Sequence, residues 1–247
     1  MEKIYQDSNQ SIQARIENLM EEMTVKEKVG QISQVFASLD RINIVREQAQ
    51  KGEIGSRILA SNGLAGTAEQ HVADLKEGNE VQEIAVEDSR LGIPLINGRD
   101  IIHGHRTIFP IPLAQAASWE PELVEEAARI SALEASAYGV HWTFAPMLDI
   151  ARDPRWGRII EGFGEDPYLC GVLAQASVKG YQGDDLSEPG RIAACAKHFI
   201  AYGGAEGGRD YNTSECSDNT LRNTYLPPFK VAIETGVSTV MSGFHEL

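Results

Sequence analysis

The chain has 247 residues, 42% of them hydrophobic and 23% charged, the balance of a globular protein long enough to bury a sizeable core. Lys and Arg number 22 against 36 Asp and Glu, a net charge of −14. With no long basic run and no apolar stretch of membrane-spanning length, neither nucleic acid nor a membrane is an expected partner.

The first ten residues are polar and carry no apolar signal core. The cytoplasm is therefore the expected compartment, with the periplasm or secretion as the alternative if a leader has been removed and replaced by Met1. Cys170, Cys195 and Cys216 are odd in number and lack metal-type spacing. They read as small buried hydrophobes and mildly favour a reducing compartment.

Residues from Ser11 to about Phe36 read as helix. Thr24 with Glu27 three positions later predicts a capping box that opens a second helical segment, Val25 to Ile32. Gly52 to Gly55 breaks the pattern, and Ser56 to Ala60 is a short strand. Thr67 to Ser89 places Val72, Leu75, Val81, Ile84 and Ala85 at helical spacing. A second strand, Ile93 to Asp100, ends in polar residues. Pro121 opens a helix that runs to Tyr138, with acidic residues in its first turn. His141 to Asp149 reads as a third strand, and Leu169 to Gly180 as a helix. Ile192 to His198 is a fourth strand. Thr220 to Thr235 is helical and broken by Pro227-Pro228, and Ser238 to Phe244 is a fifth strand.

Strands alternating with helices imply an α/β fold with parallel strands and helical crossovers. The polar residues gather at the carboxyl ends of strands, at Asp100, Asp149 and Lys197-His198, where α/β barrels build their sites. The expectation is a (β/α)8 TIM-type barrel, incomplete in this chain with about five βα units. The last strand, near Val240, is then expected to have an unpaired far edge. The missing strands would come from the rest of its polypeptide or from a second chain.

Arg152-Asp153-Pro154-Arg155-Trp156-Gly157-Arg158 concentrates three arginines and a tryptophan in seven residues. Guanidinium forks and a flat indole suit a polyhydroxylated ring, which wants hydrogen-bond partners at its rim and an aromatic platform under its face. Arg158 is the favoured ligand contact, because Gly157 is expected to let the backbone approach closely. Arg152 and Arg155 are expected to pair with Asp149, Asp153 or Glu161; the structural alternative joins all three arginines in one salt-bridge cluster. Asp100, at a strand end, can accept two sugar hydroxyls. Lys197-His198 would supply two donors for adjacent hydroxyls, and a buried lysine implies an acidic partner. A Schiff-base lysine is the other chemistry open to it. His103-Gly104-His105 has a spacing that can ligate zinc, but no further ligand cluster accompanies it, so backbone hydrogen bonding is the preferred reading. Gly203-Gly204 and Gly207-Gly208 frame Glu206, Arg209 and Asp210 in what reads as a tight loop walling a site.

Taken together, several stretches resemble glycoside hydrolase family 3, especially its bacterial β-glucosidases. They are Met23 to Gln31, Asp100 to Gly104, Thr107 to Pro110, Trp142 to Pro146, Arg152 to Arg158, Gly164 to Tyr168, Lys197-His198-Phe199 and Val240-Met241-Ser242. The resemblance implies a barrel that binds the non-reducing sugar in its −1 subsite. Carried over by motif, Asp100, Arg158, Lys197 and His198 would grip that sugar's hydroxyls, and Met241 would line the pocket. The implied reaction is retaining hydrolysis of terminal β-D-glucosyl residues, with an aspartate nucleophile and a glutamate acid/base. The implied substrates are β-linked oligosaccharides or aryl β-glucosides, with no cofactor and no metal.

The family's nucleophile motif follows the strand matching Val240-Met241-Ser242, and its acid/base normally lies in a second domain. Both are expected beyond Leu247, so the isolated chain is expected to be inactive. The position often occupied by tyrosine in this strand is Phe244. Lys197-His-Phe-Ile-Ala-Tyr-Gly-Gly204 departs from the loop of the family's N-acetylglucosaminidases, which argues against that branch. β-Xylosidase is the near alternative. A metal-dependent barrel hydrolase and a non-catalytic sugar-binding fragment are the alternatives of other classes.

Overall fold

The computed structural model describes residues 3–37, 41–59 and 68–247. Ala60 and Thr67, the outer ends of two expected elements, lie outside these residues, as does the side chain of Val72. The chain divides into two compact units, residues 1–97 and 98–247.

In the first unit, helix α1 spans Ile12–Glu22 and is capped by Ser11, whose hydroxyl accepts the Ala14 N–H at 3.2 Å. Helix α2, Val25–Gln31, opens on the expected capping box. The Glu27 N–H donates to Thr24 Oγ1 at 3.3 Å, and the Thr24 N–H returns to Glu27 Oε2 at 2.8 Å. The helical reading through Phe36 fails beyond this point. Gln34–Ala37 is strand β1, parallel to β2, Ser56–Leu59, with Gln34 opposite Ser56 and Ala37 opposite Leu59. Val35 and Phe36 are strand formers, and their backbone groups find ladder partners once β2 arrives. Parallel strands need a crossover, and α3, Ile42–Gln50, lies between them in sequence. Helix α4, Ala68–Glu83, runs on into a π-turn at Ile84–Asp88. Val45, Ala49, Ile54, Val81, Ala85 and Leu95 form this unit's core.

Strand β3, Ile96–Arg99, leads into the second unit, where Gly98 and Arg99 pair in parallel with Trp142 and Thr143 of β4. That two-residue ladder is shorter than the expected His141–Asp149 strand. Beyond Thr143 the segment still runs beside β5, Cys195–Phe199, but through single contacts. The Cys195 N–H donates to Ala145 O at 2.8 Å, Lys197 N–H to Pro146 O at 3.1 Å, and Leu148 N–H to Lys197 O at 2.7 Å. Pro146 has no N–H to give, so a regular ladder stops there.

Helix α5 is Pro112–Ala116, α6 is Pro121–Ser136 and α7 is Pro167–Gln182. Each begins on proline, which loses nothing at a helix start. Helices α6 and α7 meet closely at Gly180, where a Cβ would stand 2.3 Å from Glu125 O. A short helix α8, Asp218–Thr220, passes through a π-turn, Leu221–Tyr225, into α9, Leu226–Glu234. Pro227-Pro228 therefore does not break the helix. It occupies the first turn of α9, where N–H groups have little use.

Strand β6, Thr239–Ser242, pairs in parallel with β5, and among the described residues that is its one strand partner. Ala196 stands opposite Val240 and Phe199 opposite Ser242, so Lys197 and His198 together face the single residue Met241, a bulge. Leu148, Ile150, Leu173, Ala196 and Phe229 anchor the core beneath.

Candidate active site

Asp100 follows β3 directly, and Lys197 lies in the middle of β5. Lys197 Nζ donates to Asp100 Oδ1 at 2.8 Å. This is the acidic partner that a buried lysine demands. The lysine side chain is 4% exposed and the aspartate's 37%, so the acid is the solvent side of the pair.

His198, next in β5, is buried. Its ring Nδ1 lies 2.9 Å from Asp149 Oδ2, and its backbone N–H donates to the same oxygen at 3.0 Å. The course of residues 145–148 along β5 delivers Asp149 to this position. On the other side of the ring, Nε2 is 3.5 Å from Arg158 Nη2.

Arg158 forms a two-pronged pair with Glu161, Nε to Oε1 at 2.7 Å and Nη2 to Oε2 at 2.9 Å. Burial pushes the Glu161 carboxyl up, but the Arg158 hydrogen bonds outweigh it, and the Lys197 charge adds to them, so the group ends below its usual range. Burial opposes the charge on Arg158, and Glu161 more than restores it. The guanidinium also lies over the Tyr202 ring, 5.5 Å from its centroid.

Behind this layer, Asp210 Oδ1 accepts from the Tyr202 hydroxyl at 2.5 Å and from Trp156 Nε1 at 3.0 Å. Burial and the Asp210 bond push the Tyr202 hydroxyl up to about 12. The expected aromatic platform is corrected here. Trp156 is only 1% exposed and packs edge-on against Tyr202 at 5.3 Å, so its face is spent in the core. The exposed aromatics near the cluster include Phe199, Tyr211 and Phe244, and Phe244 leans on the His198 ring at 5.5 Å. At Gly157 a Cβ would meet no protein atom within 4 Å, so no close contact within the chain requires a glycine there.

The three arginines separate. Arg155 pairs with Asp153 at 2.6 Å, Arg158 with Glu161, and Arg152 donates its backbone N–H to Gly203 O at 3.1 Å. His103 Nδ1 lies 2.9 Å from Phe109 O, and the His105 ring tilts against Tyr138. Among the described residues no three His, Cys, Asp or Glu side chains converge as metal ligands.

Asp100, Lys197, His198 and Arg158 are thus brought together, although 98 positions separate the first from the third in sequence (100 to 198). Met241 faces Lys197-His198 in register. The structure adds Asp149, Glu161, Tyr202 and Asp210 to the cluster. Of these, Glu161 had a readable signal, since acid and base three apart on a turn commonly pair. The cluster offers an exposed carboxylate, an ammonium, a guanidinium and an imidazole within one neighbourhood. That is a set of donors and acceptors suited to several hydroxyls at once.

Parallel α/β strands with such a cluster at their carboxyl ends are the arrangement in which barrel-type folds carry their sites. The chain belongs to glycosyl hydrolase family 3, whose N-terminal domain matches residues 24–247. It is 37% identical over 235 residues to a periplasmic β-glucosidase of Salmonella typhimurium, covering 95% of this chain and 29% of that protein. It is also 37% identical over 180 residues to a β-xylosidase of Formosa agariphila, covering 68% of this chain and 25% of that one. The crystal structure of a β-glucosidase from Listeria innocua in complex with isofagomine matches with a TM-score of 0.82 and 39% identity, covering 95% of this chain and 32% of that chain. The chain thus spans between a quarter and a third of the length of these relatives.

Proposed function

We propose that this chain is the sugar-holding part of a retaining β-glucosidase. Asp100, Arg158, Lys197 and His198 grip the hydroxyls of a terminal β-D-glucosyl residue, and Met241 lines the pocket. The observation that carries this reading is that two neighbours in sequence each hold a distant polar partner, Lys197 with Asp100 and His198 with Arg158. Burying such groups costs desolvation that a purely structural core would avoid. The substrates are β-linked oligosaccharides or aryl β-glucosides, and no cofactor takes part. The nucleophile and acid/base are supplied from outside these 247 residues, by further polypeptide of its own or by a second chain. Alone, the chain turns over no aryl β-glucoside, because losing covalent catalysis and proton transfer together removes many orders of magnitude of rate.

Glucose binding, measured by calorimetry on the longest polypeptide that carries this chain, tests the reading. Lys197→Ala and Arg158→Ala should each weaken binding about tenfold or more, since each removes a charge-assisted bond. Unchanged affinity in both variants would sink the sugar site. The Formosa relative keeps a β-xylosidase as second reading. Faster turnover of an aryl β-xyloside than of the matching glucoside by the same polypeptide decides for it.

A further inference from the structure

The contact between Asp149 and His198 is the most enclosed of the cluster: the aspartate side chain is 0% exposed and the imidazole 2%. One oxygen, Oδ2, faces two nitrogens, the His198 backbone N–H at 3.0 Å and ring Nδ1 at 2.9 Å. An oxygen that accepts from a backbone amide presents lone pairs. The ring nitrogen beside it is therefore the one that carries a proton. In the neutral ring this leaves Nε2 with a lone pair, and Nε2 is the atom turned toward Arg158. The second oxygen, Oδ1, is buried with no hydrogen-bond partner among the described residues. An unpaired buried carboxylate oxygen costs stability, so holding the fold together does not account for this acid. Its grip on the ring does.

We propose that Asp149 is a positioning residue for the sugar site, fixing His198 as the Nδ1–H tautomer so that Nε2 accepts a hydrogen bond from a sugar hydroxyl beside Arg158. This rests on the sugar-site reading above. It replaces the expectation that Lys197 and His198 are both donors. Lys197 reads a hydroxyl oxygen, and His198 reads a hydroxyl hydrogen. Arg158, which has only donors, cannot do the latter. Asp149 itself touches no sugar.

Long-range 1H–15N NMR of the imidazoles, in the longest polypeptide carrying this chain and assigned with His198→Gln, reads the tautomer without any ligand. A His198 ring protonated on Nδ1 and bare on Nε2 at pH 7 is expected. Protonation of Nε2, in a neutral or a charged ring, overturns the proposal. Asp149→Ala removes the acceptor that faces ring Nδ1, so the tautomer should shift toward Nε2–H. Glucose affinity should fall about tenfold, the loss of one good hydrogen bond. Among monodeoxyglucoses, the position whose removal hurts the wild type through His198 should stop mattering in this variant. A folded Asp149→Ala protein with unchanged tautomer and unchanged affinity also overturns the proposal. If that variant fails to fold, the wild-type tautomer decides alone. If the wild type binds no glucose, the sugar reading fails, and the tautomer still decides whether Asp149 sets the ring.

Discussion

Lys197 Nζ and Asp100 Oδ1 lie 2.8 Å apart across 97 positions of sequence, and the two ends of the pair are unequally shielded, 4% exposed at the lysine and 37% at the aspartate. Removing one partner strands the other. Asp100→Ala leaves an ammonium buried and should cost about 3 kcal/mol. Lys197→Met leaves a carboxylate that water can reach and should cost about 1 kcal/mol or less. Urea denaturation midpoints at constant slope report both. Equal losses would show that shielding does not set the cost.

Glu27 gives an acid-stability prediction. Hydrogen bonds from Arg90, at 2.6 and 2.9 Å, lead the causes that hold its carboxyl at about 2 rather than 4.5. A depressed folded value adds stability that is complete above the unfolded value and is lost as pH falls toward the folded one. Between pH 4.5 and about 2, Glu27→Gln should therefore flatten the decline of stability, by up to about 1.4 kcal/mol per pH unit. Identical pH slopes for variant and wild type would remove Glu27 as the cause.

Two glycines in the site region should answer differently to alanine. At Gly203 a Cβ would fall 2.3 Å from Ile150 O, a backbone atom that cannot swing away. Gly203→Ala should lose about 1–3 kcal/mol. At Gly157 nothing stands within 4 Å, and Gly157→Ala should change stability by less than about 0.5 kcal/mol. Thermal unfolding of the two side by side is enough, and a loss at Gly157→Ala as large as that at Gly203→Ala would overturn the contrast.

Asp210 should matter more than either of its donors. Asp210→Ala orphans both Trp156 Nε1 and the Tyr202 hydroxyl, at about 1–3 kcal/mol for each buried group left unpaired. Tyr202→Phe removes one donor and leaves Asp210 bound to Trp156, so it should cost about 1 kcal/mol. A larger loss for Tyr202→Phe than for Asp210→Ala would reverse this hierarchy.

The parallel α/β pattern and the strand-end location of the polar residues were legible, because helix caps, prolines at helix starts and apolar runs are local signals. The capping box at Thr24 is the plainest case. Strand β1 was not legible: four residues after a helix carry no periodicity of their own, and only pairing with β2 makes them a strand. Pro227-Pro228 misled for a related reason, since a proline pair ends one helix or starts another depending on where the preceding turn places it. Within the site, the lysine's need for an acid could be stated from its burial, but Asp100 as the answer needed the fold. Trp156 shows the opposite failure. An aromatic among arginines looks like a platform in sequence, and the core claims its face.

The extra residue in β5 has a consequence for anyone who would move this site elsewhere. On a regular strand, sequence neighbours look to opposite sides of the sheet, so an adjacent Lys-His pair could serve only one side with one of its members. Here Ala196 and Phe199 keep step with Val240 and Ser242, and the spare position absorbs the odd count. Lys197 then reaches Asp100 while His198 reaches Arg158. Grafting the two side chains onto a flat strand of another scaffold would deliver half of the constellation. The portable unit is the irregular backbone together with its two passengers, and trimming one residue from it would turn a neighbourly pair into strangers on opposite walls.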